Sequence, residues 1–565
     1  MDVKNEFVAP ETLIQEKLVR IWQEVLGIGK VGIRDNFFEL GGDSILSIQI
    51  ISRANQVGFA LTAKDIFQHP TIEGLASLEG KSRDIHAEQG PVSGDVPLTP
   101  IQHWFFEQNL EEAHHYNQSV FLEIMQPLDP EILKTVTGHL IIHHDALRLR
   151  FKQTDAGWEQ NHADVNGRVP FEYFDFSDSS PSEMRDKIEN ATAAIQAGLN
   201  FMDGPIFRIA CFYLGPNKSH RLLIAIHHLV MDAVSWRVLL EDFQNAYQQV
   251  SEGKPVNLPM KTTSFRYWAE RINEYAKSAE LAAEKKFWLN QLSQETLHIP
   301  KDMPEAINTE GSARSITVAL NEEETHILLQ KIPAVYHTEI NDVLLSALLK
   351  TVTDRYHGTN LLIDLESHGR EEMWNDIDLS RTVGWFTNLY PVLLVREANQ
   401  MEEIIFSVRD QLKNIPRGGI GYGILRYLSK EWEFREQIKK LTRPEIIFNY
   451  LGQFEGGSQE NAILRTATES SGHERSPRSI RSHLIEINGA VGHGRLQMEW
   501  SYSENIHCQQ TIQEMADLFI LELHDFITRC ENMDAGVYPG TDFSEFGWNK
   551  EDLDDIISTI ENSDE

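Results

Sequence analysis

The chain has 565 residues, 41% of them apolar, and carries 85 acidic against 51 basic side chains, for a formal net charge of −34. That length exceeds one ordinary domain, and the acidic balance argues against a nucleic-acid or anionic-membrane partner, which would need a basic patch. Cys211, Cys508 and Cys530 lack disulfide or metal-ligand spacing and no apolar run reaches transmembrane length, so a reduced, cytoplasmic protein is expected.

Residues 1–80 read as a small helical bundle. TLIQEKLVRIWQEVLG places Leu13, Leu18, Ile21, Trp22 and Val25 at helical spacing and ends on Gly27; a second helix begins around Ser44, and a short one follows Pro70. The segment 81–95, KSRDIHAEQGPVSGD, is almost free of apolar residues and reads as a linker.

From 96 to 545 strands alternate with helices: SVFLEI, the helix PEILKTVTGHLIIHHDALRL, then the strand pair FRIACFYL and HRLLIAIHHL. The alternation restarts after about residue 310 with SITVAL, INDVLLSALLKTVTDRY and NLLIDLES, predicting two α/β lobes, about 96–270 and 271–545, with a cleft between them. In the tail 546–565, Leu553, Ile556, Ile557 and Ile560 follow the spacing of one short amphipathic helix.

On position alone Ser44, in DNFFELGGDSI, reads as a helix N-cap. A nucleophile elbow would need glycine where Leu46 stands. The whole string resembles the attachment motif of peptidyl carrier domains of nonribosomal peptide synthetases, which implies that Ser44 bears a covalent 4′-phosphopantetheine arm. On the following helix Leu46, Ile50, Ala54 and Val57 share one face, whereas Ile45 and Ile48 fall off it and are expected to stay exposed as a docking surface. Asp43, where many carriers have histidine, resembles the variant of carriers that precede epimerases.

The strand LLIAIHHLVMDAVSW ends in His227 and His228, of which only one can face a cleft. A metal site, a structural network and a general base all compete for this pair; a third metal ligand at matched spacing is missing. HHLVMDAVSW resembles the HHxxxDG signature of the condensation and epimerization superfamily, whose two lobes are similar to chloramphenicol acetyltransferase. The resemblance gives His228 acid-base chemistry, leaves His227 structural, and makes Asp232 a salt-bridge residue for which Arg148 is the expected partner. Ala233 stands where glycine is usual, and His143, His144 and Asp145 read as packing and capping.

Further segments separate the two branches. PLTPIQHWFFEQ, DLESHGRE, RTVGWFTNLYPV, PRGGIGYG and IIFNYLGQF resemble epimerization-domain motifs in the expected order, with Ser367 in place of the usual glycine. PRGGIGYG lacks the spacing and the preceding buried strand of a dinucleotide loop.

The resemblance therefore implies a four-helix carrier bundle followed by a two-lobed α/β epimerization domain that inverts the α-carbon of an aminoacyl or peptidyl thioester held on Ser44. It places Glu366 across from His228 as the second acid-base group, Tyr450 and Asn449 as donors to the enolate oxygen, and Arg370 as an orienter of Glu366 or a phosphate contact. No metal, nicotinamide or pyridoxal phosphate is implied. Expected partners are an upstream adenylation domain, a phosphopantetheinyl transferase and, through the tail helix, a downstream condensation domain. The alternatives are a condensation-type acyltransferase and a docking module without catalysis.

Overall fold

A computed structural model describes residues 7–78, 80, 83–124, 128–165, 167–216, 218–336, 338–454 and 464–531. The expected tail helix from Leu553 to Ile560 lies outside the described residues.

The carrier consists of α1 (Leu13–Leu26), α2 (Ser44–Gln56), α3 (Ala63–Gln68) and α4 (Ile72–Ala76) around Leu18, Trp22, Phe37, Ile50, Ala54 and Ile66. Thr12 and Gln15 form a capping box at α1, and Gly27 closes it in the left-handed conformation. Asp43, not Ser44, caps α2: its carboxylate accepts from the backbone N–H of Ile45 (2.9 Å) and Leu46 (2.7 Å). Ser44 is thus relieved of capping and lies exposed in the first turn. The loop before it needs its glycines, since Gly41 has φ +89° and a Cβ on Gly42 would stand 2.5 Å from the Phe37 ring.

The wheel needs two corrections. Val57 ends α2 and is 47% exposed, because the last turn projects past the core. Ile48 is only 7% exposed yet is no part of the carrier core; it is covered by the large domain.

The linker region is fastened rather than free. Arg83 donates to the Ile377 carbonyl (2.7 Å), the His86 N–H to the Asp376 carbonyl (3.0 Å), and the His86 ring stacks on Tyr267 at 4.2 Å. It ends in β1 (Gly94–Val96), which joins β3 (Leu149–Thr154) and β4 (Gly157–His162) in a small sheet of order β1-β4-β3.

Two larger sheets carry the lobes. The N-terminal one contains β2 (Asn117–Ile124), β5 (Phe171–Asp175), β6 (Phe207–Tyr213), β7 (His220–His227) and β12 (Leu464–Thr466), in the order β12-β2-β7-β6-β5. β7 is buried along its whole length, as a central strand covered on both faces must be. The second sheet contains β8 (Ala313–Ala319), β9 (Asn360–Ser367), β10 (Asn388–Val395), β11 (Ile446–Phe454), β13 (Ile485–Gly492) and β14 (Arg495–Ser503), in the order β10-β9-β11-β13-β14-β8.

Strand β12, late in the chain, pairs with β2 of the first sheet and so straps the lobes together. A single large core runs through both. No helix among the described residues is long and apolar enough to cross a membrane.

Candidate active site

The site forms where the end of β7 meets the end of β9 and the middle of β11. The chain leaves β7 as a 3₁₀ turn, His228–Val230, and then enters the helix Ala233–Ser251 with Asp232 as its N-cap. This break in the strand sends the two histidines different ways. His227 is fully buried, its Nε2 facing the Ala113 carbonyl at 2.8 Å and its Nδ1 accepting from the Leu229 N–H at 3.1 Å. His228 faces the cleft. Ala233 opens a regular helix without positive φ, so the usual glycine is not needed there.

The His228 tautomer follows from its neighbours. The Trp236 indole N–H donates to the Gln118 side-chain carbonyl (2.9 Å), which turns the amide nitrogen toward His228 Nε2 (3.1 Å). An amide nitrogen can only donate, so Nε2 accepts and the ring proton sits on Nδ1, where it is donated to the Met231 carbonyl at 2.7 Å. The ring also lies 4.3 Å from that of Trp385. Burial, and then the nearby Arg475 cation, pull the His228 pKa down to about 4, so the ring is a neutral base at neutral pH.

Glu366 comes from the opposite lobe, near the end of β9. Parallel pairing of β9 with β11 sets Asn449 beside it, and the Asn449 amide donates to Glu366 Oε2 at 3.2 Å. Burial raises the Glu366 carboxyl to about 7, against the attraction of Arg475. Tyr450 is half-buried with its hydroxyl enclosed; burial holds that hydroxyl well above the ordinary phenol range, and it has no hydrogen-bond partner among the described residues.

His228 and Glu366 share two cavities. A cleft of about 430 Å³ is lined by both, together with Asn449, Tyr450 and the carrier residues Ser44, Ile45 and Ile48. A smaller inner chamber is lined by the same two side chains with Tyr116, Trp385 and Arg475.

Two expected roles are corrected. Asp232 pairs with Arg370 (3.0 and 3.2 Å), not with Arg148, which bonds Asp145 and the Val92 carbonyl (2.9 Å). Arg148 sits by the small sheet, where Lys261 also holds Asp145. Arg370 in turn makes no hydrogen bond to Glu366: it is 6% exposed and donates to Asp232, Ser235 and the carbonyls of Leu379 and Thr382. It ties the helix after the histidine motif to the loop after β9, which fixes the two lobes at the site.

The sequence did not point to Gln118, Trp236, Arg475 or Glu486. Arg475 is half-buried, pairs with Glu310 (2.9 Å) and Glu486 (3.5 Å), and lies over the Tyr116 ring at 4.9 Å. His144 and Asp242, 3.1 Å apart beside His143, form the one cluster among the described residues with metal-like spacing, but Arg381 already neutralises Asp242.

The carrier rests on the mouth of the cleft. Gln453 of β11 donates to the Gly41 carbonyl, and Arg237 stabilises the buried Asp43 carboxylate electrostatically.

Comparison with known proteins places this geometry. The profile of the condensation domain matches residues 92–538, and that of the phosphopantetheine attachment site matches residues 16–78. The chain belongs to the condensation-domain family. Among its relatives are a linear gramicidin synthase of Brevibacillus parabrevis, 45% identical over 563 residues, and tyrocidine synthase 2 of the same organism, 38% identical over 559. The chain is covered to 99% and 98% in these matches but spans only 7% and 15% of those proteins.

Within the family, the epimerization domain from the third module of tyrocidine synthetase B superposes with a TM-score of 0.74 at 36% identity, over 80% of this chain and 99% of that one. The SgcC5 protein from Streptomyces globisporus shares the fold alone, with a TM-score of 0.61 at 16% identity, over 77% of this chain and 99% of that one. This condensation-family chain thus joins a phosphopantetheine attachment site to a two-lobed domain of the epimerization type.

Proposed function

We propose that the chain inverts the α-carbon of a thioester carried on Ser44, within nonribosomal peptide synthesis. The observation that carries this reading is the pair His228 and Glu366, drawn from opposite lobes into one cavity that opens at Ser44, with a neutral ring on one and a protonatable carboxyl on the other.

Ser44 fits the attachment role, being exposed at the cleft mouth while Asp43 does the capping. The arm supplies a flexible thioester tether, whose carbonyl acidifies the α-hydrogen because sulfur donates poorly into it. His228 Nε2, once the Gln118 amide gives way, accepts the α-proton on one face. Glu366, as the acid, returns a proton to the other. Tyr450 supplies a donor kept unpaired until negative charge develops on the thioester oxygen, a contribution on the order of 3 kcal/mol. Asn449 holds Glu366 in place. This chemistry calls for no other cofactor.

As partners we infer an upstream adenylation domain and a phosphopantetheinyl transferase to load Ser44, and a downstream condensation domain to take the product. We infer a carrier domain over 1–80, a linker over 81–95, an epimerization domain over 96–545 and a docking tail over 546–565.

The test is to load Ser44 with an L-configured thioester, peptidyl or aminoacyl, in deuterated water. Exchange of the α-hydrogen with formation of a D/L mixture in the absence of any acceptor supports the reading. A silent carrier, or turnover only with an acceptor amine, contradicts it.

A further inference from the structure

Helix α3 of the carrier does not complete its own first turn. Thr62 and Asp65 form a capping box, in which the Asp65 N–H donates to Thr62 Oγ1 (3.1 Å) and the Thr62 N–H to Asp65 Oδ2 (2.9 Å). The box leaves the N–H groups of Ala63 and Lys64 without an acceptor inside the carrier, because the first N–H groups of a helix have no partner in the helix itself.

The large domain supplies that acceptor. Glu372, in the irregular segment between β9 and β10, takes the Lys64 N–H on Oε2 at 3.4 Å. Burial raises the Glu372 carboxyl, and the Ala63 N–H, the Arg83 cation and the Lys64 N–H oppose the rise. Arg83 reaches the same segment from the linker, donating to the Ile377 carbonyl at 2.7 Å. Carrier, linker and large domain thus meet at one carboxylate.

The segment that presents Glu372 is itself fixed. Arg370, two residues earlier, is locked to Asp232 at 3.0 and 3.2 Å, so little freedom is lost when the carboxylate takes up the carrier. A second contact of the same kind lies just before Ser44, where Gln453 donates to the Gly41 carbonyl. Both contacts engage the main chain of the carrier and none of its side chains.

We propose that Glu372 is a recognition residue for the carrier: it closes the first turn of α3 from the large domain and, together with Gln453, holds Ser44 at the cleft through main-chain contacts. This rests on the epimerase reading and adds to it the residue that seats the carrier's third helix.

The two sides of the contact can be removed separately. Glu372→Ala deletes the acceptor. Ala63→Pro deletes a donor and leaves the helix intact, since proline suits the first helical position and Thr62 before it is already extended (φ −126°, ψ 163°). The full chain would be loaded on Ser44, by phosphopantetheinyl transfer, with L-alanyl or glycyl-L-alanyl pantetheine, whichever exchanges faster, and α-deuteration followed by mass spectrometry. The same thioester would be supplied free in solution to the unloaded chain.

We expect each variant to slow exchange of the Ser44-bound thioester at least about fivefold, as the loss of a hydrogen bond to a charged group does, and to leave the free thioester unaffected. The double variant should be no slower than Glu372→Ala alone, because both changes remove one interaction.

Unchanged exchange of the Ser44-bound thioester in either single variant overturns the proposal while the epimerase reading stands. Multiplying losses in the double variant, or equal losses for bound and free thioester, overturn it likewise. An unaltered chain that exchanges neither substrate refutes the epimerase reading, and the proposal falls with it.

Discussion

The amide nitrogen of Gln118 stands 3.1 Å from Nε2 of His228 and donates to its lone pair. A donor on that lone pair stabilises the neutral ring and so adds to the desolvation that depresses its pKa. Replacing Gln118 with leucine should therefore move the acidic limb of the pH–rate profile upward. Trp236→Phe, which releases the amide to rotate, should shift it in the same direction by less. An unmoved limb in both variants would mean that the contact does not set the basicity of His228.

The two pKa values fix the profile. Inversion needs one proton on the pair, held by Glu366 while His228 is neutral. Below about 4 His228 takes up a second proton and no base remains; above about 7 Glu366 loses its proton and no acid remains. The rate of α-hydrogen exchange should accordingly peak between these limits and fall as pH rises through 7. A rate that still climbs between pH 7 and 9 would contradict the assignment of Glu366 as the acid.

The Asp232–Arg370 pair is buried on both sides, and removing one partner strands a charge. Arg370→Met should destabilise the domain by about 3–5 kcal/mol, read by denaturant unfolding, with the loss partly recovered in the Arg370→Met/Asp232→Asn double variant. Arg148→Met should show no such coupling to Asp232, because its partner is Asp145. Coupling of Arg148 rather than Arg370 to Asp232 would reverse the assignment.

Ile48 is covered by the large domain and contributes nothing to the carrier core. Ile48→Asp should leave the carrier folded and slow exchange of a Ser44-bound thioester about tenfold or more. A free pantetheine thioester supplied in solution should react at the unaltered rate. Equal losses for both substrates would point to a damaged catalytic site instead of a weakened docking surface.

Much of this was legible in the residues. Helical periodicity found the N-terminal bundle, and alternation found both lobes, because those patterns are local. His228, Glu366, Asn449 and Tyr450 were singled out by motifs that survive as linear strings, and the fold brings all four to one cleft. The partner of Asp232 was misread because Arg148 and Arg370 both sit in plausible motifs, and only the interlobe packing decides which guanidinium arrives. Gln118 and Arg475 gave no signal: one lies at the start of β2 and the other in an irregular loop, and their importance comes from what β7 and β13 place beside them. Ile48 was correctly set apart from the carrier core, but a helix wheel has no means of showing that a second domain covers it.

The most direct test removes each wall of the site in turn. The full chain, loaded on Ser44 with an L-configured peptidyl thioester in deuterated water, should incorporate deuterium at the α-carbon and yield a D/L mixture, whereas His228→Ala and Glu366→Gln should each lose inversion by at least about a hundredfold. Retention of exchange and inversion in both variants would contradict the claim that these two side chains face one carbon.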